Sequence, residues 1–143
     1  MKKILLSFLM LSLFAAVIPA QQGDANRPTI TVLDFNTESV SQSEMKTIIS
    51  LLSSSLFRMN MFTVIDVSQR ENILSEIKFS ASGCTDESCM LEIGKLLAAE
   101  MIVVGSLSKL GSRYVLSTKL LETQTGKTLG TADGIYTDLD AMV

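Results

Sequence analysis

An alternation of strand and helix patterns over residues 29–143 is the feature that most limits what this chain can fold into. Residues 29–35, "TITVLDF", are β-branched and apolar, which is typical of a buried strand. In the following segment, apolar residues recur at helical spacing and predict a helix with one buried stripe. That stripe consists of Met45, Ile48, Ile49, Leu52, Leu56 and Met59. Residues 61–67, "MFTVIDV", predict a second strand.

Two further helices and three further strands complete the pattern. Ser41 and Glu44 form a capping-box pair at the start of the first helix. The same pattern at Ser68 and Glu71 predicts a second helix, which we expect to run to about residue 78. The remaining elements are a third helix over residues 86–100 and strands over 101–110, 114–122 and 128–137.

This order of elements defines a fold class. Helical crossovers between the early strands favour parallel pairing, and short turns between the late strands favour antiparallel hairpins. We therefore predict an α/β fold of the mixed α+β kind, with helices packed on a small five-stranded mixed sheet. The predicted order is strand, helix, strand, helix, helix and then three strands.

The N-terminal residues have a different composition from the rest. Lys2 and Lys3 precede the uncharged apolar run "ILLSFLMLSLFAAVI". This is the pattern of a secretory signal peptide, and the run is short for a membrane span, which needs about 20 apolar residues. We predict a signal peptide over residues 1–20, a polar tether over 21–28 and a single domain over 29–143. The protein is therefore expected to be exported.

The charge of the exported part limits its partners. Residues 1–20 contain two of the 12 basic residues and none of the 15 acidic ones, so the remainder carries a net charge of −5. No block of Lys or Arg remains, which argues against a nucleic-acid partner. No second long apolar run follows the signal, so we expect no transmembrane span in the mature chain.

Cys84 and Cys89 are the only cysteines, and the chain contains no histidine. Structural zinc needs four Cys or His ligands, and thioredoxin-like redox chemistry uses two cysteines separated by two residues. Reduced, inert thiols are a further alternative. In an exported protein a disulfide is favoured. Residues five apart in one helix lie too far apart to bond, so Cys84 would precede the third helix and Cys89 would lie in its first turns.

The sequence contains few candidates for catalytic residues. Without histidine there can be no Ser-His-Asp arrangement, and we expect neither an enzyme nor a cofactor. Asp34 and Asp66 each end an early strand, and ligands favour the carboxyl ends of strands in open α/β sheets. They are weak candidates for a cation or small-ligand site. The alternative is that each carboxylate accepts backbone N–H groups of the loop that follows it.

The most specific stretches are "GCTDESC", "EIGKLL" and "IVVGSLSKLGSRY", followed by "ETQTGK". Over about residues 29–130 the chain resembles the CsgG-type periplasmic domain of curli assembly and transport. That superfamily also includes the outer-membrane lipoproteins that activate penicillin-binding proteins, and it resembles the N-terminal domain of TolB. The resemblance implies a non-enzymatic envelope module that binds other envelope proteins or assembles into rings, with no catalytic residues to carry over.

Three departures from the family refine this expectation. No cysteine follows the apolar run, so we expect no lipid anchor, and the turns are too short for inserted membrane-spanning hairpins. The closing helix of the family is expected to be short or missing here. We predict a non-enzymatic module for protein binding and assembly that is periplasmic or associated with the outer membrane. The alternatives are an oligomeric subunit of a secretion or transport assembly and a small-ligand binder that uses Asp34 and Asp66.

Overall fold

The structure is a computed structural model that describes residues 27–37, 40–80, 84 and 86–142. The predicted signal peptide and most of the predicted tether lie outside the described residues. The helices are α1 (Gln42–Arg58), α2 (Val67–Glu76) and α3 (Glu87–Leu96), and a short 3-10 turn covers Asp140–Met142. The strands are β1 (Thr29–Val32), β2 (Asn36–Thr37), β3 (Thr63–Ile65), β4 (Met101–Leu110), β5 (Arg113–Glu122) and β6 (Thr128–Tyr136).

The strands form one mixed sheet in the order β3-β1-β4-β5-β6, and β2 pairs with β4 beside this path. The early strands β1, β2 and β3 make only parallel pairs, whereas β4, β5 and β6 form an antiparallel meander. The predicted fold class and the change from parallel to antiparallel pairing are therefore confirmed. The length of the connections explains the change from parallel to antiparallel pairing. The turn between β4 and β5 has two residues, and so short a turn can join only antiparallel neighbours.

The number of strands and the start of the second helix differ from the sequence prediction. The sheet has six strands instead of five, because Asn36 and Thr37, which lie outside the predicted strands, pair with Ser106 and Leu107 of β4. The second helix begins earlier than predicted. Its N-cap is Asp66, which forms a capping box with Gln69, so the pair Ser68 and Glu71 does not start the helix.

Helices cover both faces of the sheet and create two apolar cores. Side chains of α1 pack on one face, in a cluster of Ile30, Val32, Phe35, Met45, Ile48, Ile49, Val103 and Leu107. Side chains of α2 and α3 pack on the other face, in a cluster of Leu33, Leu74, Met90, Ile93, Leu97, Ala99, Ile102, Val104 and Leu121. Successive residues of β4 alternate between the two cores, as the two-residue period of a strand requires.

The apolar stripe predicted for α1 is confirmed in its centre, where Met45 and Ile49 are almost fully buried. Met59 is an exception, since 58% of it is exposed. It is the C-cap residue, one position beyond the last helical residue Arg58, and it lies where the stripe extends past the part of α1 that packs on the core. The prediction that Met59 is a core residue was wrong for this reason.

Each helix of the described residues is followed, two positions after its last helical residue, by a residue with positive φ that is not glycine. These residues are Asn60 at 57°, Lys78 at 55° and Ala98 at 51°. At the end of α3, the N–H of Ala98 donates to the carbonyl of Lys95 and the N–H of Ala99 donates to that of Gly94. This is the pattern of a Schellman motif, which glycine favours because a Cβ disfavours the left-handed conformation. It also explains why α3 ends at Leu96 and not near residue 100.

We therefore predict that Ala98→Gly stabilises the protein. Ala98 is exposed, so the substitution removes backbone strain without emptying the core, and the gain should be about 1 kcal/mol. Urea denaturation of the purified protein measures this change in the free energy of unfolding. The matched control is Ala132→Gly in the exposed strand β6, which should lower stability because glycine loses more backbone entropy there. A loss of stability in both variants would contradict the assignment of the helix end.

Candidate functional site

Asp34, the first candidate residue, follows β1 and forms an ion pair with α2. Its Oδ1 lies 2.6 Å from Nη2 of Arg70. The Arg70 side chain is only 5% exposed and also donates to the backbone carbonyl of Val32. A buried guanidinium needs a counter-charge and acceptors for its five donors. In this structure Asp34 supplies that charge, so its carboxylate has an evident structural role.

We predict that Asp34→Asn lowers the free energy of unfolding by about 1–2 kcal/mol, because it removes the charged partner of a buried guanidinium. Urea denaturation measures the effect. Asp66→Asn is the matched control, since asparagine caps a helix as well as aspartate does and should change stability little. Equal effects of the two substitutions would contradict the structural role of Asp34.

Asp66, the second candidate, is the N-cap of α2. Its Oδ1 accepts a hydrogen bond from the backbone N–H of Gln69 at 2.9 Å, and its own N–H donates to the Gln69 side chain at 3.2 Å. This is the backbone-binding alternative considered for the two aspartates. Within the described part of the chain, no group of three or more Cys, Asp or Glu residues is placed to hold a metal ion. The arrangement therefore gives no support to a shared cation site.

The two cysteines lie where the geometry of a disulfide requires them. Cys84 precedes α3 and Cys89 is in its first turn, and the structure joins them as a disulfide with Cα atoms 5.7 Å apart. Cys84 packs against the core cluster beneath α2 and α3. The start of α3 is also fixed by Asp86, which accepts from the N–H of Cys89 at 3.0 Å. The Ser88 hydroxyl and then this N–H lower the pKa of Asp86 below its ordinary value.

We predict that the exported protein contains this disulfide and that it is a structural element. The intact mass should be lower than that of the reduced chain by two hydrogen atoms. Cys84→Ser/Cys89→Ser should lower the free energy of unfolding by about 2 kcal/mol, as expected for a short closed loop. Reductant should destabilise the wild-type protein similarly and should leave the double variant unchanged. If the double variant is as stable as the wild type, the disulfide has no such role.

A cleft that the sequence analysis did not predict lies between α1 and α2. Its volume is about 560 Å³. It is lined by Ser50, Ser53, Ser54, Phe57 and Arg58 of α1, Val64 of β3, and Asp66, Val67, Ser68 and Gln69 at the start of α2. We call it the α1–α2 cleft. One basic and one acidic side chain balance each other, and four serines provide hydroxyl groups that both donate and accept hydrogen bonds.

Ser53 is the most unusual residue of the α1–α2 cleft. It is 5% exposed, and its hydroxyl has no hydrogen-bond partner among the described residues. A buried hydroxyl without a partner costs about 1–3 kcal/mol, so natural proteins rarely keep one without a reason. The hydroxyl oxygen is not accessible to solvent, so it is a buried polar group behind the cleft surface and not an open hydrogen-bonding site.

Exposed apolar side chains lie beside the cleft, at the end of α1. Phe57 is 70% exposed, Met59 58% and Met61 60%. We call these three residues the apolar tip. Phe57 and the neighbouring Arg58 also line the α1–α2 cleft. Aromatic residues, Met and Arg are the residue types enriched at protein interfaces, so the tip and the cleft together form a candidate protein-binding surface.

The two helices that bound this surface are also joined by an ion pair. Nζ of Lys46 on α1 lies 2.8 Å from Oε1 of Glu71 on α2, and both side chains are about half exposed. The hydrogen bond raises the pKa of Lys46 and lowers that of Glu71. Exposed pairs of this kind contribute little to stability, but this one helps to orient α1 against α2.

One sequence signal could have indicated the cleft. Ser53, Ser54 and Phe57 follow Ser50 by three, four and seven residues. The four residues therefore lie on one face of α1, beside its apolar stripe. The spacing alone does not reveal a cleft, because its second wall comes from α2 and β3.

The chain matches the model of a known protein family. The model of the family described as curli production assembly/transport component CsgG matches residues 14–118. This match covers more than half of the chain, so the protein belongs to the CsgG family. The resemblance found in the sequence is confirmed. A comparison with curated protein sequences finds no significant match.

Solved structures share the fold at low sequence identity. The LpoB C-terminal domain from Salmonella enterica is 19% identical, with a TM-score of 0.62 over 78% of this chain and 83% of that one. Lipoprotein GNA1162 from Neisseria meningitidis is 12% identical, with a TM-score of 0.58 over 76% and 81%. A PelC dodecamer from Paraburkholderia phytofirmans is 11% identical, with a TM-score of 0.53 over 80% and 78%. At these identities the likeness shows the fold alone.

Proposed function

We propose that this protein is a non-enzymatic module of the cell envelope that binds another envelope protein through the α1–α2 cleft and the apolar tip. The observation that carries the proposal is membership of the CsgG family, whose description names an assembly and transport component. The shared fold with the LpoB domain, GNA1162 and PelC supports it.

The chemistry of the surface fits a protein partner. The apolar tip offers three large exposed side chains that would lose contact with water in a complex, which is favourable. Residues of this type dominate the affinity of many interfaces when they enter pockets of a partner.

The cellular location is part of the same proposal. We infer that residues 1–20 direct export and are removed, that residues 21–28 act as a tether, and that residues 29–143 function in the periplasm. Among the described residues, no helix combines the length and the apolar character that a membrane span requires.

A second candidate function is that of an oligomeric subunit in a secretion or transport assembly. The observation that favours it is the shared fold with PelC, whose solved structure is a dodecamer. A partner-binding surface and self-association are compatible, because they can use different faces of the domain.

Site-specific photo-crosslinking in living cells tests the proposed function. A crosslinking amino acid at Phe57 or Met61 should join the protein to one defined envelope protein. The same amino acid at Leu110, which is 73% exposed at the end of β4, is the control and should not. Phe57→Ser/Met59→Ser should abolish the complex without a change in melting temperature, because both side chains are exposed, whereas Leu110→Ser should retain it.

Two results would contradict the proposal. If no position on the exported protein forms a specific crosslink, the protein does not act through a stable partner. If Phe57→Ser/Met59→Ser retains the complex at wild-type strength, the partner binds elsewhere and the assignment of this surface is wrong.

A further inference from the structure

Strand β6 forms an edge of the sheet that the proposed function does not use. Within the described residues, β6 pairs with β5 alone. Its nine residues, "TLGTADGIY", contain no Lys, Arg or Pro and a single charge at Asp133. Leu129 and Ile135 are 46% and 67% exposed. Natural edge strands usually carry Lys or Pro to prevent pairing with another chain, so β6 is unusually open to it.

The direction of its backbone groups can be assigned. The hydroxyl of Thr118 on β5 donates to the carbonyl of Ala132 at 3.0 Å, and these two residues are directly opposite each other. The polar backbone groups of Ala132 therefore face β5. Because successive residues of a strand direct these groups to opposite sides, Thr131 and Asp133 present theirs to the open edge.

We propose that β6 pairs antiparallel with β6 of a second copy of this chain, about a twofold axis that passes through Ala132. In this register Thr131 lies opposite Asp133 of the second copy, and Gly130 lies opposite Gly134. Leu129, the extra residue of the bulge in β6, lies near Ile135 of the second copy. This inference goes beyond the proposed function, since it concerns another surface and needs no envelope partner.

Charge and backbone alternation select this register. Residues whose backbone N–H and C=O groups face the open edge must lie opposite such residues of the second copy. The pairing can therefore change only to registers that keep this alternation. The nearest shift in one direction places Asp133 opposite Asp133 of the second copy, and like charges directly opposite each other are unfavourable. The nearest shift in the other direction places the same carboxylate opposite the apolar Leu129.

The side chains of the proposed register are complementary. The carboxylate of Asp133 already accepts a hydrogen bond from the Ser117 hydroxyl at 2.5 Å and keeps lone pairs for a second donor. The hydroxyl of Thr131 in the second copy would be that donor. Leu129 and Ile135 would bury exposed apolar surface against each other. Each contact occurs twice, as a twofold interface requires.

Disulfide crosslinking of the purified protein tests the twofold axis. Ala132→Cys would place two cysteines opposite each other in a pair without mutual backbone hydrogen bonds, with Cα atoms about 4.5 Å apart, which a disulfide can bridge. Mild oxidation should therefore yield a covalent dimer. Thr128→Cys is the control and should stay monomeric, because it lies opposite Tyr136 of the second copy. Crosslinking of both variants to the same extent, or of neither, would overturn the proposal.

Sedimentation equilibrium tests the register. The wild-type protein should show a monomer–dimer equilibrium in the micromolar range. Thr131→Asp should weaken dimerisation about tenfold, because it creates two like-charged pairs. Adding Asp133→Thr to that variant exchanges the two side chains and should restore dimerisation, while Ser112→Asp in the exposed turn after β4 should have no effect. A wild-type monomer throughout this range, or no rescue by the exchange, would overturn the proposal.

Discussion

Strand β4 is the element on which the rest of the structure depends. It pairs with β1 and β2 on one side and with β5 on the other, and so joins the parallel and antiparallel parts of the sheet. Its residues Ile102 and Val103 are buried in different cores, one beneath α3 and the other beneath α1. A polar substitution at either position would disrupt one helix–sheet interface, because the strand is covered on both faces. Helix α3 also approaches β4 closely at this point, since a Cβ on Gly94 of α3 would lie 2.7 Å from the Ile102 side chain.

The sequence predicts this framework well because it arises from local patterns. The β-branched runs, the apolar stripe of α1 and the capping box of Ser41 and Glu44 each depend on residues close together in the chain. The start of α2 is also a local pattern, but it was misassigned: β3 ends at Ile65, so Asp66 caps the helix with Gln69 and the pair Ser68 and Glu71 does not. Other predictions failed where distant contacts decide the outcome.

The candidate surfaces were harder to predict for the same reason. Nothing near Asp34 in the sequence reveals that Arg70, 36 residues away, approaches its carboxylate. The α1–α2 cleft needs three separate elements to form its walls. By contrast, the expected positions of Cys84 and Cys89 relative to α3 followed from helix geometry alone, because a five-residue separation restricts the arrangements that can bond.

Polar groups within the domain have contrasting roles. The guanidinium of Arg70 is buried and has both a counter-charge and a carbonyl acceptor, which suits a structural element. The hydroxyl of Ser53 is buried without a partner among the described residues, which lowers stability and gives the domain no accessible hydrogen-bonding site. The apolar tip and strand β6 are separate parts of the surface, so one domain could bind a partner and a second copy at once.

Native mass spectrometry of the protein, extracted from the cell envelope without reductant, tests the central claim most directly. The account predicts a complex that contains the chain without residues 1–20, bound to a different envelope protein, to further copies of itself or to both. A lone monomer under conditions that preserve other envelope complexes would contradict it.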